Sequence, residues 1–384
     1  MPNTALEFKI ATDKDVKEII YKFRYEVYAD EIGISYLKEL HKDKRIHDDD
    51  DIAGVQYYIE QDKEIIACMR VNYGMDAPFS KEDRELYSID LFTSEYSERD
   101  ICISSKLMIK PEKRNSSALG ILLGNVYKSS RERRARFNLC ICAPPLVKLY
   151  ECLGFRRYKK NIMHPQAGFM IPLVLVIEDL QHLEFVRSPL HRIAREISNP
   201  SDTSDWFAAN FPIHIKYLVQ TLLSPEELWR FLSTSLGGVS TKLFEGLSHE
   251  DEKIVMSNTS IIQVNKGESI IRRGNWGEAA YVVIEGRVEM FVHKEDAAFS
   301  IGFLKKGDTF GETAFIDIVK PINATAIEES ELLVLSKASY EKISKRHPRI
   351  ALILSNNLLK THTINFLATT EKWISSLNTH DHEK

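Results

Sequence analysis

The stretch from Phe137 to Tyr158, FNLCICAPPLVKLYECLGFRRY, constrains the fold of this chain more than any other. Its first six residues are mostly apolar and rich in strand-formers, and they run almost directly into Pro144 and Pro145. Proline has no N–H to donate and restricts the residue before it, so this strand cannot continue its ladder. Apolar residues at helical spacing then lead to Gly154, which predicts a short helix and a second strand. A strand that ends in this way parts from its neighbour, which favours either a slot for an extended ligand or an ordinary buried crossover.

Length and composition indicate a globular protein of several domains. A chain of 384 residues is too long for one ordinary domain and predicts two or three. The hydrophobic share of 43% and the charged share of 28% are typical of globular proteins in water. The formal net charge of −4 gives no overall preference for nucleic acid or anionic lipid, so we expect no nucleic-acid partner.

The cysteine pattern predicts a reducing compartment. There is no CxxC pair and no metal-ligand spacing, so the sequence predicts reduced core thiols, with no metal and no cysteine nucleophile, at Cys68, Cys102, Cys140, Cys142 and Cys152. The N-terminus lacks an apolar signal region, and the most apolar run, residues 169–177, is too short for a bilayer. We expect a cytoplasmic protein without a membrane span.

An acidic run and two arginines form the first group of candidate functional residues. Arg24 lies in a predicted amphipathic helix, where it is either a surface arginine with its stem on the core or a functional group. The run Asp48–Asp51 is either a solvated turn or a ligand for an ammonium group or metal. Arg70 ends the second strand of a predicted hairpin among apolar neighbours and therefore needs an acidic partner, which the run can supply. Residues 74–100 are expected to form a mobile insertion with short helices.

The next segment predicts a bulged strand followed by an anion site. Two small polar residues, Ser104 and Ser105, interrupt an apolar strand, which indicates a bulge or a close backbone approach. The hydroxyl-rich turn PEKRNSS then leads into a helix. The unpaired N–H groups and positive dipole end of a helix N-terminus attract anions, and Lys113 and Arg114 add charge.

In this order of elements, residues 5–178 resemble the GNAT-fold acyltransferases. The resemblance is narrower to N-acyl amino acid synthases and acyl-homoserine lactone synthases. It is carried by FRYEVYADEIGI, the aspartate run, Met69-Arg70-Val71, ISSKLMI and CAPPLVKLYECLGFRRY. It implies an α+β fold, a mixed and mostly antiparallel sheet flanked by helices. It also implies transfer of a fatty acyl group from a phosphopantetheine thioester to the amine of an amino acid or similar metabolite.

The resemblance also implies roles for individual residues. The amine and head-group side would be shaped by Arg24, Asp48, Asp51 and Arg70, with backbone near Ser105 supporting the oxyanion. The donor arm would contact Leu107, Lys113, Arg114, Ser116, Ser117, Cys142 and Tyr150. The turn before the helix lacks the glycines of GNAT pyrophosphate loops, so acyl carrier protein fits it better than coenzyme A. Lys106 stands where relatives often have arginine, and no side chain identifies itself as the base.

The pattern of residues 179–242, in the middle of the chain, predicts a helical connector. Helices are predicted over 180–197, 206–223 and 225–236, with breaks at Asn199-Pro200 and Ser224-Pro225. Such a connector either transmits a rearrangement or only packs against its neighbours.

From Ile261 onward the apolar period changes to two and glycines mark the turns, which predicts a small antiparallel β-roll. Residues 243–360 resemble the cyclic nucleotide-binding domain in the segments KGESIIRRG, YVVIEG and FGETA. The resemblance implies cyclic AMP or cyclic GMP as ligand and a phosphate-binding cassette at Gly311, Glu312, Thr313, Ala314, Lys320 and Asn323. Glu312 matches the family's ribose-binding glutamate.

The cassette departs from the family in one position. The phosphate-binding arginine is absent, because Ile322 or Asn323 stands there, and Lys320 replaces it only as a point charge. A charge-assisted hydrogen bond contributes about 1.5–3 kcal/mol, so its loss weakens binding by roughly 10- to 100-fold. The domain therefore either binds cyclic nucleotide weakly or serves dimerisation or scaffolding.

These features predict domains at residues 1–178, 179–242 and 243–384. Two functions remain open: an N-acyltransferase with a fused regulatory domain, or a non-catalytic sensor or scaffold that responds to cyclic nucleotide. Acyl carrier protein is the expected partner of the first. The long final helix, from about His347 to Ser376, is expected to join two copies as a homodimer.

Overall fold

A computed structural model describes residues 5–31, 42–114, 116–164, 168–196, 202–211, 223–236, 241–275, 279–294, 297–316 and 320–380. Sequence predictions on residues 32–34, 199–200, 212–222 and 317–319 lie outside this range. The chain divides into two compact units. Unit 1 comprises residues 1–141, 149–159 and 172–218, and unit 2 comprises residues 142–148, 160–171 and 219–384. The predicted boundaries at 178 and 242 follow the sequence pattern rather than these units, and they stay predictions.

The first large sheet has eight strands, and its order is β1-β2-β3-β4-β5-β8-β6 with β7 paired to β8. The strands are β1 Glu7–Ile10, β2 Val55–Gln61, β3 Glu64–Tyr73, β4 Ile101–Ile109, β5 Phe137–Cys142, β6 Arg156–Arg157, β7 Ile162–His164 and β8 Gly168–Val176. All pairings from β1 through β4 are antiparallel, and β4 pairs with β5 in parallel. The predicted α+β class, with a mixed and mostly antiparallel sheet, is confirmed.

The helices of unit 1 pack on this sheet. They are α1 Lys14–Tyr25, α2 Lys81–Tyr87, α3 Asp90–Thr93, α4 Ala118–Glu132, α6 Leu180–Phe185, α7 His191–Glu196 and α8 Thr203–Asn210, with α5 Val147–Leu153 crossing from unit 2 to unit 1. A π-helical turn, Glu26–Glu31, follows α1, and short 3₁₀ turns cover Asp49–Asp51, Glu98–Asp100, Pro111–Lys113 and Pro144–Leu146.

Two predictions about these helices are wrong. The single helix predicted over residues 180–197 is two helices, because the backbone at Arg187 adopts a left-handed conformation with φ of 54°. The insertion predicted to be mobile is packed into the core, since Phe92 in α3 is fully buried and its ring lies 5.0 Å from that of Phe137. The sequence did not predict this packing, because the apolar residues of the insertion form no long periodic run.

Unit 2 contains the predicted antiparallel roll, which is confirmed as two four-stranded sheets of order β10-β15-β12-β13 and β14-β11-β16-β9. The strands are β9 Ser260–Val264, β10 Ser269–Ile271, β11 Ala279–Glu285, β12 Val288–Lys294, β13 Ala297–Leu304, β14 Thr309–Phe310, β15 Asn323–Ala326 and β16 Ser330–Ser336. Its helices are α9 Pro225–Leu236, α10 His249–Ser257, α11 Lys337–Arg346 and α12 Pro348–His380, with 3₁₀ turns at Lys242–Phe244 and Glu312–Phe315.

Two earlier segments of the chain belong to unit 2 and contact its roll. The Ser260 hydroxyl in β9 donates to the carbonyl of Pro144 at 3.1 Å. The Asn161 amide donates to the Gln263 carbonyl at 2.7 Å and to the Glu268 carboxylate at 2.8 Å. The double-proline turn and the β7 hairpin are therefore held by the roll.

Candidate functional site

Strands β4 and β5 part, as predicted, but they do so within β5 and not at the double proline. Their pairing covers only three residue pairs, of which Ile103 with Leu139 is the last. Beyond this pair, β4 continues to Ile109 and β5 to Cys142 without pairing to each other. Separated parallel strands leave backbone N–H and C=O groups that an extended ligand can pair with. The slot is therefore bounded by residues 104–107 on β4 and 140–141 on β5.

Strand β4 is bulged beside this slot, one or two residues after the predicted position. Arg70 is opposite Ser105 and Cys68 is opposite Met108, so β4 has one more residue than β3 across this interval. Lys106 has a left-handed backbone with φ of 54°, a conformation that costs about 1–3 kcal/mol in residues other than glycine. Lys106 and Leu107 thus occupy the bulge and lie outside the residue-to-residue register with β3.

Arg70 joins the acidic loop to the bulged strand. Its Nε donates to the Ser105 hydroxyl at 3.0 Å, and its guanidinium pairs with Asp48, with Asp50 at 2.9 Å and with Asp51 at 3.2 Å. The arginine side chain is buried, whereas those of Asp48 and Asp50 are 39% and 35% exposed. The predicted pairing between Arg70 and the acidic run is therefore present, and it orders the loop.

Arg24 is fully buried, so the reading as a surface arginine is wrong. Its guanidinium pairs with both carboxylate oxygens of Asp51 at 2.9 Å and donates to the Gln56 side chain and to the Ile46 carbonyl. Gln56 in turn donates to Asp51 at 2.8 Å. A buried carboxylate stays charged only with such partners. Arg24 and Asp51 therefore support the loop from inside, and Asp48 and Asp50 face the solvent side.

The charges in this cluster divide its carboxylates into two kinds. Burial raises the pKa of Asp48, but Lys106 at 3.0 Å and Arg70 outweigh it and hold that pKa below its ordinary value. Burial raises the pKa of Asp50, and although Arg70 opposes this, the neighbouring aspartates leave the pKa above its ordinary value. One site thus holds a strongly ionised carboxylate beside one that accepts a proton more readily.

The cluster includes a residue that sequence reasoning missed. Asp83 lies in the first turn of α2, and burial followed by the charge of Asp50 raises its pKa to about 6. The sequence signal was the pair Ser80 and Asp83, since the Ser80 hydroxyl accepts from the Asp83 N–H at 3.0 Å and starts the helix. Nothing in the sequence placed that helix beside the acidic run.

In the predicted anion turn, some of the hydrogen-bonding groups are already paired with other groups of the same segment. The Ser116 hydroxyl donates to the Lys113 carbonyl at 2.7 Å and accepts from the Ala118 N–H at 3.2 Å. Arg114 donates to the Ile109 carbonyl at 3.3 Å, and the Ser117 side chain does not cap α4. The later amides of the first turn of α4 remain as donors for a phosphate.

Cys142 and Tyr150 are both buried, at 2% and 7% exposure. Cys142 is the last residue of β5, and the Tyr150 ring packs edge-on to Phe155 at 5.3 Å. None of the cysteines forms a disulfide, and burial raises the thiol pKa of Cys68 to about 11 and of Cys102 to about 12. Such thiols are poor nucleophiles near neutral pH. Cys68, Cys102, Cys140 and Cys142 are buried as predicted, whereas the prediction is wrong for Cys152, which is only half-buried.

In unit 2 the predicted cassette forms a turn around Gly311, whose φ is 80°. A β-carbon at this position would lie 2.9 Å from the Ala279 carbonyl, so the turn requires glycine. Thr313 and Ala314 are buried. The Glu312 carboxylate is bonded to Nδ1 of His362 in α12 at 2.8 Å, a contact that the sequence did not suggest.

The residues near the position of the missing arginine form hydrogen bonds with other groups of the protein. Asn323 accepts from the Arg273 N–H at 3.0 Å and donates to the Phe291 carbonyl at 3.4 Å, so it joins strands of the roll. Lys320 is 3% exposed and its ammonium donates to the Gly311 carbonyl at 3.0 Å. Burial lowers the pKa of Lys320 to about 8 despite the charge of Glu312.

Within the described residues, no group of three or more metal-ligating side chains comes together. In the same part of the chain, no helix is long and apolar enough to cross a bilayer.

Comparisons with known proteins agree with this arrangement. Residues 23–124 match the family described as acetyltransferase (GNAT) domain, and residues 261–347 match the cyclic nucleotide-binding domain family. The chain therefore carries an N-terminal GNAT acetyltransferase domain and a C-terminal cyclic nucleotide-binding domain.

Curated relatives match over part of their length. The chain is 31% identical over 111 residues to the cyclic AMP receptor protein of Thermus thermophilus, which covers 28% of this chain and 51% of that protein. It is 33% identical over 89 residues to the cGMP-dependent protein kinase of Plasmodium berghei, or 23% of this chain and 10% of that one. The chain thus spans about half, or less, of the length of these relatives. Among solved structures, the catabolite activator protein of Thermus thermophilus is similar with a TM-score of 0.31 at 27% identity, over 36% of this chain and 63% of that one.

Proposed function

We propose that unit 1 is an N-acyltransferase that moves an acyl group from a phosphopantetheine thioester to the amine of an amino acid or similar metabolite. The observation that carries this proposal is the parting of β4 and β5 beyond Ile103 and Leu139, next to a bulge and a charged cluster. A pantetheine arm is extended and amide-rich, and it pairs with strand backbone in such a slot. The GNAT match over residues 23–124 supports acyl transfer as the reaction class.

The geometry supports specific roles for the named residues. The bulge backbone at Lys106 and Leu107 supplies N–H groups for the thioester oxyanion. Asp48 and Asp50 attract a substrate ammonium, and Arg70 binds a carboxylate or fixes the two aspartates. Lys113, Arg114 and the first turn of α4 hold the donor phosphate. A single phosphate suits this glycine-poor turn, which favours acyl carrier protein over coenzyme A.

The C-terminal domain is proposed to regulate the transferase. Supporting this, the roll of unit 2 holds the double-proline turn that directly follows β5 through Ser260. A cyclic nucleotide that altered the roll would act on this turn. The internal use of Asn323 and Lys320 supports weak binding or a scaffolding role for the same domain.

We propose that α12 joins two copies of the chain in a homodimer. The helix exposes Leu352, Leu359 and Phe366, which are 62%, 64% and 64% exposed and lie seven residues apart. Apolar residues at heptad spacing form the seam of a two-stranded coiled coil.

The proposed reaction is tested by incubating the full chain with octanoyl-acyl carrier protein or acetyl-coenzyme A and a pool of the common L-amino acids. We expect amine-dependent release of thiol, and a loss of about 100-fold or more in Arg70→Met, because removing the guanidinium releases the loop. Thiol release from neither donor would leave the alternative of a non-catalytic sensor or scaffold.

A further inference from the structure

Helix α2 lies at the point where β4 and β5 part. Tyr87 in α2 is in one apolar cluster with Ile103 and Leu139, the last pair of the two strands. Alternation along β4 puts Ser105 on the same face as Ile103, because the bulge comes only after Ser105. Ser105 in turn holds Arg70 at 3.0 Å. The face of the slot toward α2 is therefore the face that carries the charged cluster.

The opposite face is occupied by another helix. Cys102 alternates with Ile103, and its thiol lies 4.0 Å from the hydroxyl of Ser130 in α4. Tyr73 of β3 contacts the same hydroxyl at 3.1 Å. Because of these buried contacts, the protein core occupies this side of the slot. An amine that reaches a thioester between the strands thus has the α2 face as its polar approach.

The position of α2 is fixed by hydrogen bonds at its end. The Tyr158 hydroxyl donates to the Tyr87 carbonyl at 2.6 Å. The Lys159 ammonium donates to the Leu86 carbonyl at 2.7 Å and to the Ser88 hydroxyl at 2.6 Å. These bonds hold the helix against the sheet, and Asp83 lies one turn before Tyr87 on it.

The charged groups that act on the Asp83 carboxylate are Asp50, Arg70 and Asp48, and Asp83 in turn acts on Tyr87 of its own helix. Burial raises the pKa of Asp83, and the Ser80 hydroxyl opposes this effect. Asp48 and Asp50 pair with Arg70, and Asp51 pairs with both Arg24 and Arg70. Within the part of the chain that the structure describes, Asp83 forms no ion pair, so its carboxylate can take up a proton without breaking one.

We propose that Asp83 is the catalytic base of the acyl transfer, taking the proton from the attacking amine on the α2 face of the slot. This inference rests on the proposed function. The bound ammonium first releases one proton to solvent. The lone pair of the neutral amine then forms the C–N bond at the thioester carbonyl carbon, and the C=O π pair moves to oxygen. The nitrogen gives a proton to the Asp83 carboxylate. The oxyanion then re-forms C=O, the C–S bond breaks with its electron pair on sulfur, and the leaving thiolate takes a proton from Asp83 or solvent.

A base must be ionised, and the burial and charge that raise the pKa of Asp83 to about 6 place its protonation close to working pH. The rate should therefore fall as pH decreases through about 6, because the carboxylate becomes protonated. A limb caused by Asp83 should disappear in Asp83→Asn, whereas a fall in rate caused by protonation of the substrate amine or of Asp50 should remain.

The test uses the full chain with octanoyl-acyl carrier protein, acetyl-coenzyme A and the common L-amino acids, and it measures thiol release against pH. We expect Asp83→Asn to lose about 100-fold or more in kcat and to lose the acid limb. We expect Asp83→Ala to regain rate when acetate is added. Glu82→Gln, an exposed carboxylate on the same turn, should retain both rate and limb.

The outcomes separate the two claims. A normal rate and an unchanged acid limb in Asp83→Asn, with an active wild type, overturn the role of Asp83 alone. A folded Asp83→Ala that is inactive and gains nothing from acetate also overturns it, since the side chain then acts only through structure. A wild type that releases no thiol from either donor overturns the proposed function and this inference with it.

Discussion

At the scale of single residues, Arg70 depends on a glycine for its position. A β-carbon on Gly54 would lie 2.7 Å from Cδ of Arg70 and 2.7 Å from the Asp50 carbonyl. Both contacts are too short, so the arginine stem and the backbone of the acidic loop would both have to shift. The arginine therefore reaches Ser105 and the acidic loop only because residue 54 has no side chain.

This predicts the effect of Gly54→Ala. We expect kcat/KM for acyl transfer to fall by about 10- to 100-fold, because a displacement of about 1 Å in a positioning group costs that much. Steady-state thiol release measures it. Gly302→Ala, where a β-carbon meets nothing within 4 Å, is the matched control and should behave as wild type. Equal rates in the two variants would show that Arg70 does not need its present position.

Lys320 gives a second prediction, on stability against pH. Its folded-state pKa of about 8 lies below the ordinary 10.5, so the unfolded chain binds more protons between these values and stability rises with pH across that window. The gain is about 3 kcal/mol. Lys320→Met should unfold at a higher temperature at pH 7 and should lack the rise from pH 8 to 10 in calorimetry of the full chain. If the variant keeps the rise in stability with pH, another titratable group must cause that rise.

At the scale of elements, a side chain of α12 is bonded to the predicted nucleotide cassette. His362 holds the Glu312 carboxylate at 2.8 Å, the group expected to bind a ribose hydroxyl. A ligand must therefore break this bond before it can use Glu312.

His362→Ala should bind cyclic AMP more tightly than wild type, by about 2- to 10-fold, since a net hydrogen bond contributes about 0.5–1.5 kcal/mol. Isothermal titration calorimetry measures the change. Thr363→Ala is the control, because the Thr363 hydroxyl donates to the Leu359 carbonyl of its own helix. Unchanged or weaker binding in His362→Ala would mean that the histidine helps the ligand rather than competing with it.

The helices and strands show how much of the candidate site could be predicted from the sequence. The double proline predicted that β5 leaves its partner, although pairing ends earlier, at Leu139. Two small residues in β4 predicted a bulge to within two residues, because both signals act through the local backbone. The placement of α2 could not be predicted, since Asp83 and Asp50 are brought together only by tertiary packing. The contact between His362 and Glu312 was equally beyond reach, because it joins residues far apart in sequence through a helix orientation.

At the scale of the whole molecule, α12 should decide the oligomeric state. Leu359→Asp combined with Phe366→Asp places charge on the exposed heptad positions and should convert a dimer to a monomer in sedimentation equilibrium. Both side chains are exposed in the single chain, so its fold should be retained. A wild type that sediments as a monomer at micromolar concentration would contradict the proposed seam.

The function proposed for the chain is acyl transfer to nitrogen in the slot between β4 and β5. It is tested by mass spectrometry of the products formed from a ¹³C-labelled acyl thioester, on acyl carrier protein or on coenzyme A, and a pool of amino acids. We expect a labelled N-acyl product formed in equal amount to the released thiol. Thiol release with the label only in free carboxylic acid, or no release from either donor, would contradict it.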